Sequence, residues 1–435
     1  MNVVFFAIVL IAFAAAAVRQ LTWVPAGPDA VSPMQALTTA VVESAGGAVE
    51  LAIGLVGMMT LFLGLMKVIE AGGMLTIIAK TLRPVMIRIF PEVPPDHPAM
   101  GAIILNMSAN ALGLGNAATP FGIRAMQALD TLNPQKGTAT NAMVMFLAIN
   151  TSAVTLLPSG MIALRASSGS ADPAGILATT LFATTMSTTV AITAAKLYQR
   201  FASVVPAAAP PPASAPEEAG GSPALEAPSE ASSGAYPLWV SALVMGGALM
   251  LIPVGVLFGT RIAPWVIPGL MVAFLTFGAV RGVRVYEVLV DGAREGFQVA
   301  IRIIPYLVSI LVAVGMFRAS GAMEFLVGII SPLTVPLGMP AEALPVALVR
   351  PLSGTGAFGL AAATIQDPAI GPDSYIGYLA TTLSGATDPT FYVLAVYFGA
   401  IQIRRARHAL AAGLTADVAG AAGAVIACSY LYGAL

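Results

Sequence analysis

The chain has 435 residues, 57% hydrophobic and 9% charged, where soluble proteins carry roughly 25% charged residues, and this excludes a water-soluble fold. Its 20 basic and 21 acidic residues leave a formal net charge of −1, so no basic surface is available for nucleic acid phosphates. One cysteine, Cys428, excludes an intrachain disulfide, and His97 and His408, far apart and without a cysteine cluster, leave little for a zinc site.

Composition therefore points to a polytopic inner-membrane protein, in which each helical span needs about 20 mostly apolar residues. In chain order, nine full-length candidates lie near 2–18, 46–69, 138–164, 173–196, 237–258, 264–280, 298–317, 374–400 and 409–433. The first is read as an uncleaved anchor, because Met1 is followed at once by apolar residues; a cleaved signal sequence stays open.

Two more apolar stretches, 98–129 and 343–366, are filled with Gly, Ser, Thr and Asn in their middles: NMSANALGLGNAATPFG from Asn106 and RPLSGTGAFG from Arg350. Such residues weaken a helix or compete for its hydrogen bonds. Irregular backbone at membrane depth survives only where protein or a wet cavity surrounds it, so both stretches read as re-entrant hairpins. Two ordinary spans with small-residue packing faces are the alternative. Charge placement favours hairpins. With a cytoplasmic N-terminus, the Lys and Arg residues within 67–88, 124–136, 196–200, 281–302 and 404–407 then fall inside, as the positive-inside rule requires. Only Arg19, Arg165, Arg261, Arg318 and Arg350 fall outside, and the C-terminus is placed outside too. Between the two sets of spans, residues 202–235 are rich in Ala, Pro, Ser and Glu and read as a disordered cytoplasmic linker.

The halves on either side of this linker overlay at an offset of 248 residues, with VESAGGAVELAI at Val42 against VDGAREGFQVAI at Val290. Gly73 falls on Gly321 and Pro84 on Pro332. After small gaps, Leu112-Gly113-Leu114 falls on Phe358-Gly359-Leu360, and Ser152 and Thr155 fall on Ser384 and Thr387. Each unit reads as span, amphipathic surface helix, hairpin, interrupted span, span. The two units start on opposite sides of the membrane, so the expected fold is all-α with two inverted repeats, an arrangement typical of secondary transporters.

Interruptions mark the candidate site. NTSAVTLLPSG from Asn150 and SGATDPT from Ser384 put polar residues, Gly and Pro in the middle of apolar helices, and Pro158 and Pro389 each remove a backbone donor. The freed carbonyls and half-helix ends of Asn150, Thr151, Ser152, Thr155, Ser384 and Thr387 suit a solute or a cation; inert kinks are the alternative. Asp388 is a charged side chain near the bilayer centre and is the first choice for ion coupling, with Thr155, against a capping role beside Pro389. Arg350 offers a positive charge to an anionic group, with Ser353, Gly354, Thr355 and Gly356 supplying hydroxyl and backbone donors; an interfacial, snorkelling Arg is the alternative. Asn106, Ser108, Asn110 and Asn116 suit a hydroxylated or amide-bearing solute, or helix–helix hydrogen bonds. Gly354, Gly356 and Gly359 fit a bare GxGxxG, but no strand–helix unit surrounds them and a nucleotide site is rejected.

At these residues NMSANALGLGNAATPFG, ATNAMVMFLAINTSAVTLLPSG and IALRA resemble spore maturation protein A, and GMFRASGAMEFLVG, RPLSGTGAFG, GPDSYIGYLATTLSGATDPTFYVLAVYFGA and IRRARHAL resemble spore maturation protein B. The chain looks like a fusion of the two within the nucleoside recognition, or Gate, group. That resemblance implies a distant kinship with concentrative nucleoside transporters and the membrane part of ferrous iron transporters, and hence a transporter fold. It divides the chain into an anchor and outer loop (1–30), a first Gate-like repeat (31–201), the linker (202–235), and a second repeat with two preceding spans (236–435). The expected function is secondary transport of a small polar or anionic solute, coupled to Na⁺ or H⁺, with no cofactor and a homo-oligomer as a possible partner state. A non-transporting scaffold in envelope or spore maturation is the alternative. No GxSxG is present, and an enzyme is not expected.

Overall fold

The computed structural model describes residues 2–25, 27, 30–113, 118–202 and 236–433, with backbone alone at 2–4, 255–257, 259–261, 263 and 264. Asn116, the linker beyond Ala202 and the Arg261 side chain therefore lie outside the described residues. Among the described residues every regular element is helical and there is no strand, in keeping with the all-α expectation.

The first half contains α1 (Asn2–Leu21), α2 (Pro33–Ala71), α3 (Met74–Ile89), α4 (Pro98–Ala111), α5 (Thr119–Thr131), α6 (Asn141–Thr151), α7 (Ser159–Ser167) and α8 (Ile176–Tyr198). After the linker come α9 (Leu238–Leu249), α10 (Leu251–Val280), α11 (Val285–Ala319), α12 (Ala322–Thr334), α13 (Leu344–Val349), α14 (Gly354–Ile365), α15 (Tyr375–Gly385), α16 (Thr390–Ala400) and α17 (Ala409–Tyr432). Among the described residues four helical segments are long and apolar enough to cross a membrane: Pro33–Ala71, Pro173–Tyr198, Val285–Ala319 and Ala409–Tyr432. One expectation needs correction. The two spans expected at 237–258 and 264–280 are a short helix to Leu249 and one continuous helix, Leu251–Val280. A lone Arg in a long apolar run does not end a helix, because in apolar surroundings the backbone has no better partner than itself.

Local chemistry sets the starts of the helices. Ser32 and Gln35 form a capping box ahead of Pro33, and the hydroxyls of Thr140, Ser353 and Ser374 cap α6, α14 and α15. Gly73 and Gly321 adopt φ of +84° and +79° at the heads of α3 and α12, a left-handed turn that favours glycine and lets each surface helix fold back from the long helix before it.

The long helices pack in two antiparallel pairs. Along α2 and α11 the glycines descend one helix as they climb the other: a Cβ on Gly292 would lie 2.6 Å from the Lys67 Cβ, one on Gly296 would lie 2.7 Å from the Met59 carbonyl, and one on Gly315 would lie 2.1 Å from the Ser44 hydroxyl. Small residues bring the two backbones together where no hydrophobic effect separates protein from lipid. Likewise α8 and α17 run in opposite directions, with Tyr198 facing Thr415 (3.0 Å), Ser187 Oγ donating to the Ala416 carbonyl (2.7 Å) and Tyr432 OH donating to the Gly175 carbonyl (2.9 Å).

The helix ends gather at two poles. Arg19 donates to the Ser320 carbonyl, Arg318 pairs with Asp367 at 2.7 Å, and Arg165 pairs with Asp373 at 2.9 Å at one of them. At the other, Lys67 meets Glu295 (3.3 Å), Arg281 donates to the Gly72 carbonyl, and Arg407 donates to Asn141. His97 before α4 lies 3.4 Å from Thr131 at the end of α5. Gly338 before α13 accepts from Tyr375, close to Asp367 after α14 in the same pole. Both hairpin-like pairs thus return to the pole they start from. The overlay of Leu112-Gly113 on Phe358-Gly359 is corrected here. Gly113 stands in the turn after α4 with φ +74°, whereas Gly359 is inside α14, packed on Ile310. An alphabet of Gly, Ala and Leu permits such a slip without any mismatch of type.

Candidate functional site

Both interrupted segments are real breaks. Helix α6 stops at Thr151 and α7 begins at Ser159, while α15 stops at Gly385 and α16 begins at Thr390; the leading halves, α6 and α15, are 11 residues each. Pro158 and Pro389 sit at the heads of the trailing halves, where a missing N–H costs nothing.

Each hairpin turn rests on the break of its own half. The Leu156 N–H donates to the Ala111 carbonyl (3.0 Å), and a Cβ on Gly113 would fall 2.2 Å from the Leu157 carbonyl. In the second half the Phe391 N–H donates to the Pro351 carbonyl (3.0 Å), a Cβ on Gly354 would fall 3.2 Å from Pro389, and Arg350 donates to the Thr387 carbonyl. The two breaks also touch, because the Asp388 N–H donates to the Thr151 carbonyl at 2.6 Å. Turn, break, break and turn form a continuous row through the middle of the bundle.

The expected polar residues divide within that row. Asn110 donates to Asn150 at 3.1 Å, Tyr397 of α16 donates to the same Asn150 oxygen at 3.4 Å, and Asn106 donates to the Ala118 carbonyl at 2.8 Å. Four of the expected residues instead spend their polar groups locally. Ser108 and Ser152 donate to the Ile104 and Ala148 carbonyls of their own helices, Thr155 donates to the Ala153 carbonyl, and Ser353 accepts the Gly356 N–H as a helix cap. Ser and Thr hydroxyls at or near a helix end have backbone partners close at hand and take them. Thr355 is exposed. Arg350, expected to meet an anion, points at the break instead, and its guanidinium stands 3.4 Å from Asp388 Oδ1, with 13% of its side chain exposed. Half of the Asp388 side chain is accessible, although protein elements surround the break on several sides.

Sequence reasoning passed over Asp417. It lies in the middle of α17, 92% shielded, with Oδ2 accepting the Thr390 hydroxyl at 2.6 Å. The signal was present, because Asp417 is the sole acidic residue of that apolar helix, and an acid at membrane depth is a functional hypothesis by default. Around the breaks, Asn106 Oδ1, Thr151 Oγ1, Thr180 Oγ1, Ser384 Oγ and Asp417 Oδ1 are buried and have no hydrogen-bond partner among the described residues. Buried polar atoms in native proteins are normally satisfied, so this concentration marks a place where a polar guest or water completes the bonding. No group of three His, Cys, Asp or Glu residues able to hold a metal ion occurs among the described residues. A surface groove of about 400 Å³, bounded by Tyr198, Phe201, Arg407 and His408, lies at the pole where Arg407 meets Asn141 and is lined by no residue of the breaks.

A family model described as nucleoside recognition, the Gate domain, matches residues 52–203 and 300–404, which enclose both hairpins and both breaks. The chain is 44% identical over 167 residues to spore maturation protein B of Bacillus subtilis (strain 168), covering 93% of that protein and 38% of this chain. It is 43% identical over 154 residues to spore maturation protein A of the same organism, covering 79% of that protein and 35% of this chain. No solved structure matches it. With more than half of its length matched and its apolar helices long enough to span a bilayer, the chain belongs to the nucleoside recognition (Gate) family and is a multi-pass membrane protein.

Proposed function

We propose that this protein is a secondary transporter of a small polar or anionic solute, working by alternating access, with the solute held where the two breaks meet. The observation that carries the reading is the row of turn, break, break and turn, joined by the Asp388 to Thr151 hydrogen bond and lined by buried polar atoms without partners. In our reading the two halves are inverted repeats. Antiparallel pairing of α2 with α11 and of α8 with α17, which occupy equivalent places in the two successions of helices, supports this. Return of each hairpin to its starting pole supports re-entrance. Such repeats place a substrate near the midplane, between discontinuous helices. We read the membrane as a bacterial inner membrane, with the N-terminus and linker cytoplasmic and the C-terminus outside, from the Lys and Arg residues within 67–88, 124–136, 196–200, 281–302 and 404–407.

Uptake into proteoliposomes across a panel of nucleosides and organic acids, under imposed Na⁺ and pH gradients, tests this. The expected result is gradient-driven uptake of at least one solute, reduced at least tenfold in Asp388→Asn. Unchanged uptake in that variant removes Asp388 from the site, and no uptake of any solute overturns transport. A scaffold in spore or envelope maturation is the second reading, favoured by the names of the two relatives; it predicts a stable co-purifying partner and no solute-dependent thermal shift.

A further inference from the structure

Asp417 is placed with unusual care for a residue outside the breaks. Gly413 and Gly420, four before and three after it, share its face of α17. A Cβ on Gly413 would lie 2.6 Å from the Thr390 methyl, and one on Gly420 would lie 2.6 Å from the Thr387 methyl and 3.3 Å from the Ala386 carbonyl. The second break is therefore pressed directly onto the helix face that carries the carboxylate. Its Oδ2 is held by the Thr390 hydroxyl and the Thr387 hydroxyl stands within reach of the carboxylate, while Oδ1, shielded from solvent, completes no hydrogen bond.

Charge makes the same demand. The charged groups within reach of Asp417 are Arg350 from the hairpin turn and Asp388 from the break. Arg350 stands against Asp388, so the three together carry one negative charge in excess. No other element packed there supplies a cation. Helix α6 has no ionisable side chain, α15 and α16 carry only tyrosines, and α8 presents Ser187 and, near Thr415, the Tyr198 phenol, while its Lys196 is exposed and does not act on Asp417. A carboxylate away from water and without a counter-charge is costly, and it is relieved by a proton or by a bound cation. The oxygens nearby, from Asp417, Thr390 and the Ala386 carbonyl, are the hard donors that a small hydrated cation accepts.

We propose that Asp417 is the seat of one monovalent cation, Na⁺ or a proton, and that Asp388, which faces Arg350 and is half accessible, serves the solute side of the same site. This rests on the transporter reading for its purpose but not for its measurement. The full chain in lipid nanodiscs is unfolded thermally across a Na⁺ series balanced with choline, and across a pH series, as wild type, Asp417→Asn, Asp388→Asn and Thr390→Val. A ligand that binds only the folded state multiplies the folded population about tenfold for each tenfold rise in its concentration above Kd. The expected result is such a response to Na⁺, or to acidification, in wild type, its weakening in Asp388→Asn, which frees Arg350 to neutralise Asp417, and its loss in Asp417→Asn. Thr390→Val should weaken a Na⁺ response about tenfold, through loss of an oxygen ligand, and move an acid response to higher pH, because the lost hydrogen bond favours the carboxylate; it also keeps the test alive if Asp417→Asn fails to fold. A Na⁺ response assigns the metal ion and an acid response the proton. A wild type indifferent to both, or variants of Asp417 and Thr390 that respond as wild type does, overturns the proposal. Cation binding without any solute uptake would sink the transporter reading alone, and uptake by a protein indifferent to both cations would sink this one alone.

Discussion

Arg165 and Arg350 are both drawn into the helix bundle, each beside an aspartate, yet they are built into their surroundings in opposite ways. Arg165, at the end of α7, has no accessible side-chain surface. It donates to the Pro372 carbonyl (2.6 Å), the Asp172 carbonyl (3.1 Å), Ser170 (3.1 Å) and Asp373 (2.9 Å), and lies 4.0 Å above the Tyr378 ring. Tyr378 is itself stacked on Tyr432 at 3.7 Å. Asp373 is tied further by Ser170 and by the Ala171 N–H. This is a charge-saturated knot joining α7, the loop before α15 and α17, with the Arg165 Nε and the adjacent Asp172 Oδ1 and Ser168 Oγ left without partners. Arg350 instead has two donors on one carbonyl and a longer contact to Asp388, amid several oxygens with no partner. Saturation favours one arrangement of the chain, and unsatisfied groups leave room for another; the first suits a fixed pole and the second a centre that changes its contacts.

The largest effect that sharpens this contrast is expected at Arg165. Arg165→Met leaves Asp373 without its cation and strips Tyr378 of its stacked charge, and breaking such a pair costs about 3 kcal/mol or more. Unfolding of the purified protein in detergent measures it, and Arg165→Lys should recover little, because an ammonium cannot span four acceptors and an aromatic face at once. A cost below about 1 kcal/mol would mean that the knot is not a clamp, and the contrast with the centre would fail.

Next in size is the antiparallel contact of α2 and α11, the structural basis for treating the halves as mates. Gly296→Val places a branched side chain where even a Cβ would lie 2.7 Å from backbone atoms of Met59 and Thr60. Backbone cannot step aside as a side-chain tip can, so the helices must part, at a cost of about 2 kcal/mol. The same change at Gly328, which has nothing within 4 Å, should be close to neutral. Equal stability of the two variants in detergent unfolding would break the packing account of the α2 and α11 pair.

Much of this architecture was legible because its signals are local. Pro158 and Pro389 announced two helix breaks, and the Asn- and Gly-rich middles announced interruptions of helix, which fall between α4 and α5 and between α13 and α14, since each residue type has a backbone preference that acts wherever it is placed. Pairwise matters were not legible. Nothing in the sequence says that Arg165 finds Asp373, since a separation of 208 positions is bridged only by the fold. Nor does it say that the Ser108 and Ser152 hydroxyls turn to their own helices while Thr151 and Ser384 are left without partners. Asp417 was legible in type, as a lone acid in an apolar helix, and went unread because attention to Gly and Pro interruptions passes over an acid in unbroken helix.

The smallest effect concerns the pole of Arg407 and asks whether it is as fixed as the knot at the other. His408 stands immediately before α17, where burial first, and then the neighbouring Arg407 charge, hold its imidazole below the usual value of 6.5. The positive end of the α17 dipole acts in the same sense. Above pH 6.5 the group is neutral in both folded and unfolded chains and contributes no pH dependence. As pH falls through 6.5 the unfolded chain takes up a proton that the folded chain resists, so stability is lost with acidification until the lower, folded-state pKa is passed. His408→Gln should flatten this acid limb without changing stability at neutral pH, read from unfolding midpoints of the two proteins over a pH series. An acid limb unaltered by the substitution would assign the loss to other groups. It would also show that His408 is already protonated or solvated in the folded state, which is what a loosely packed pole, able to rearrange as the centre does, would allow.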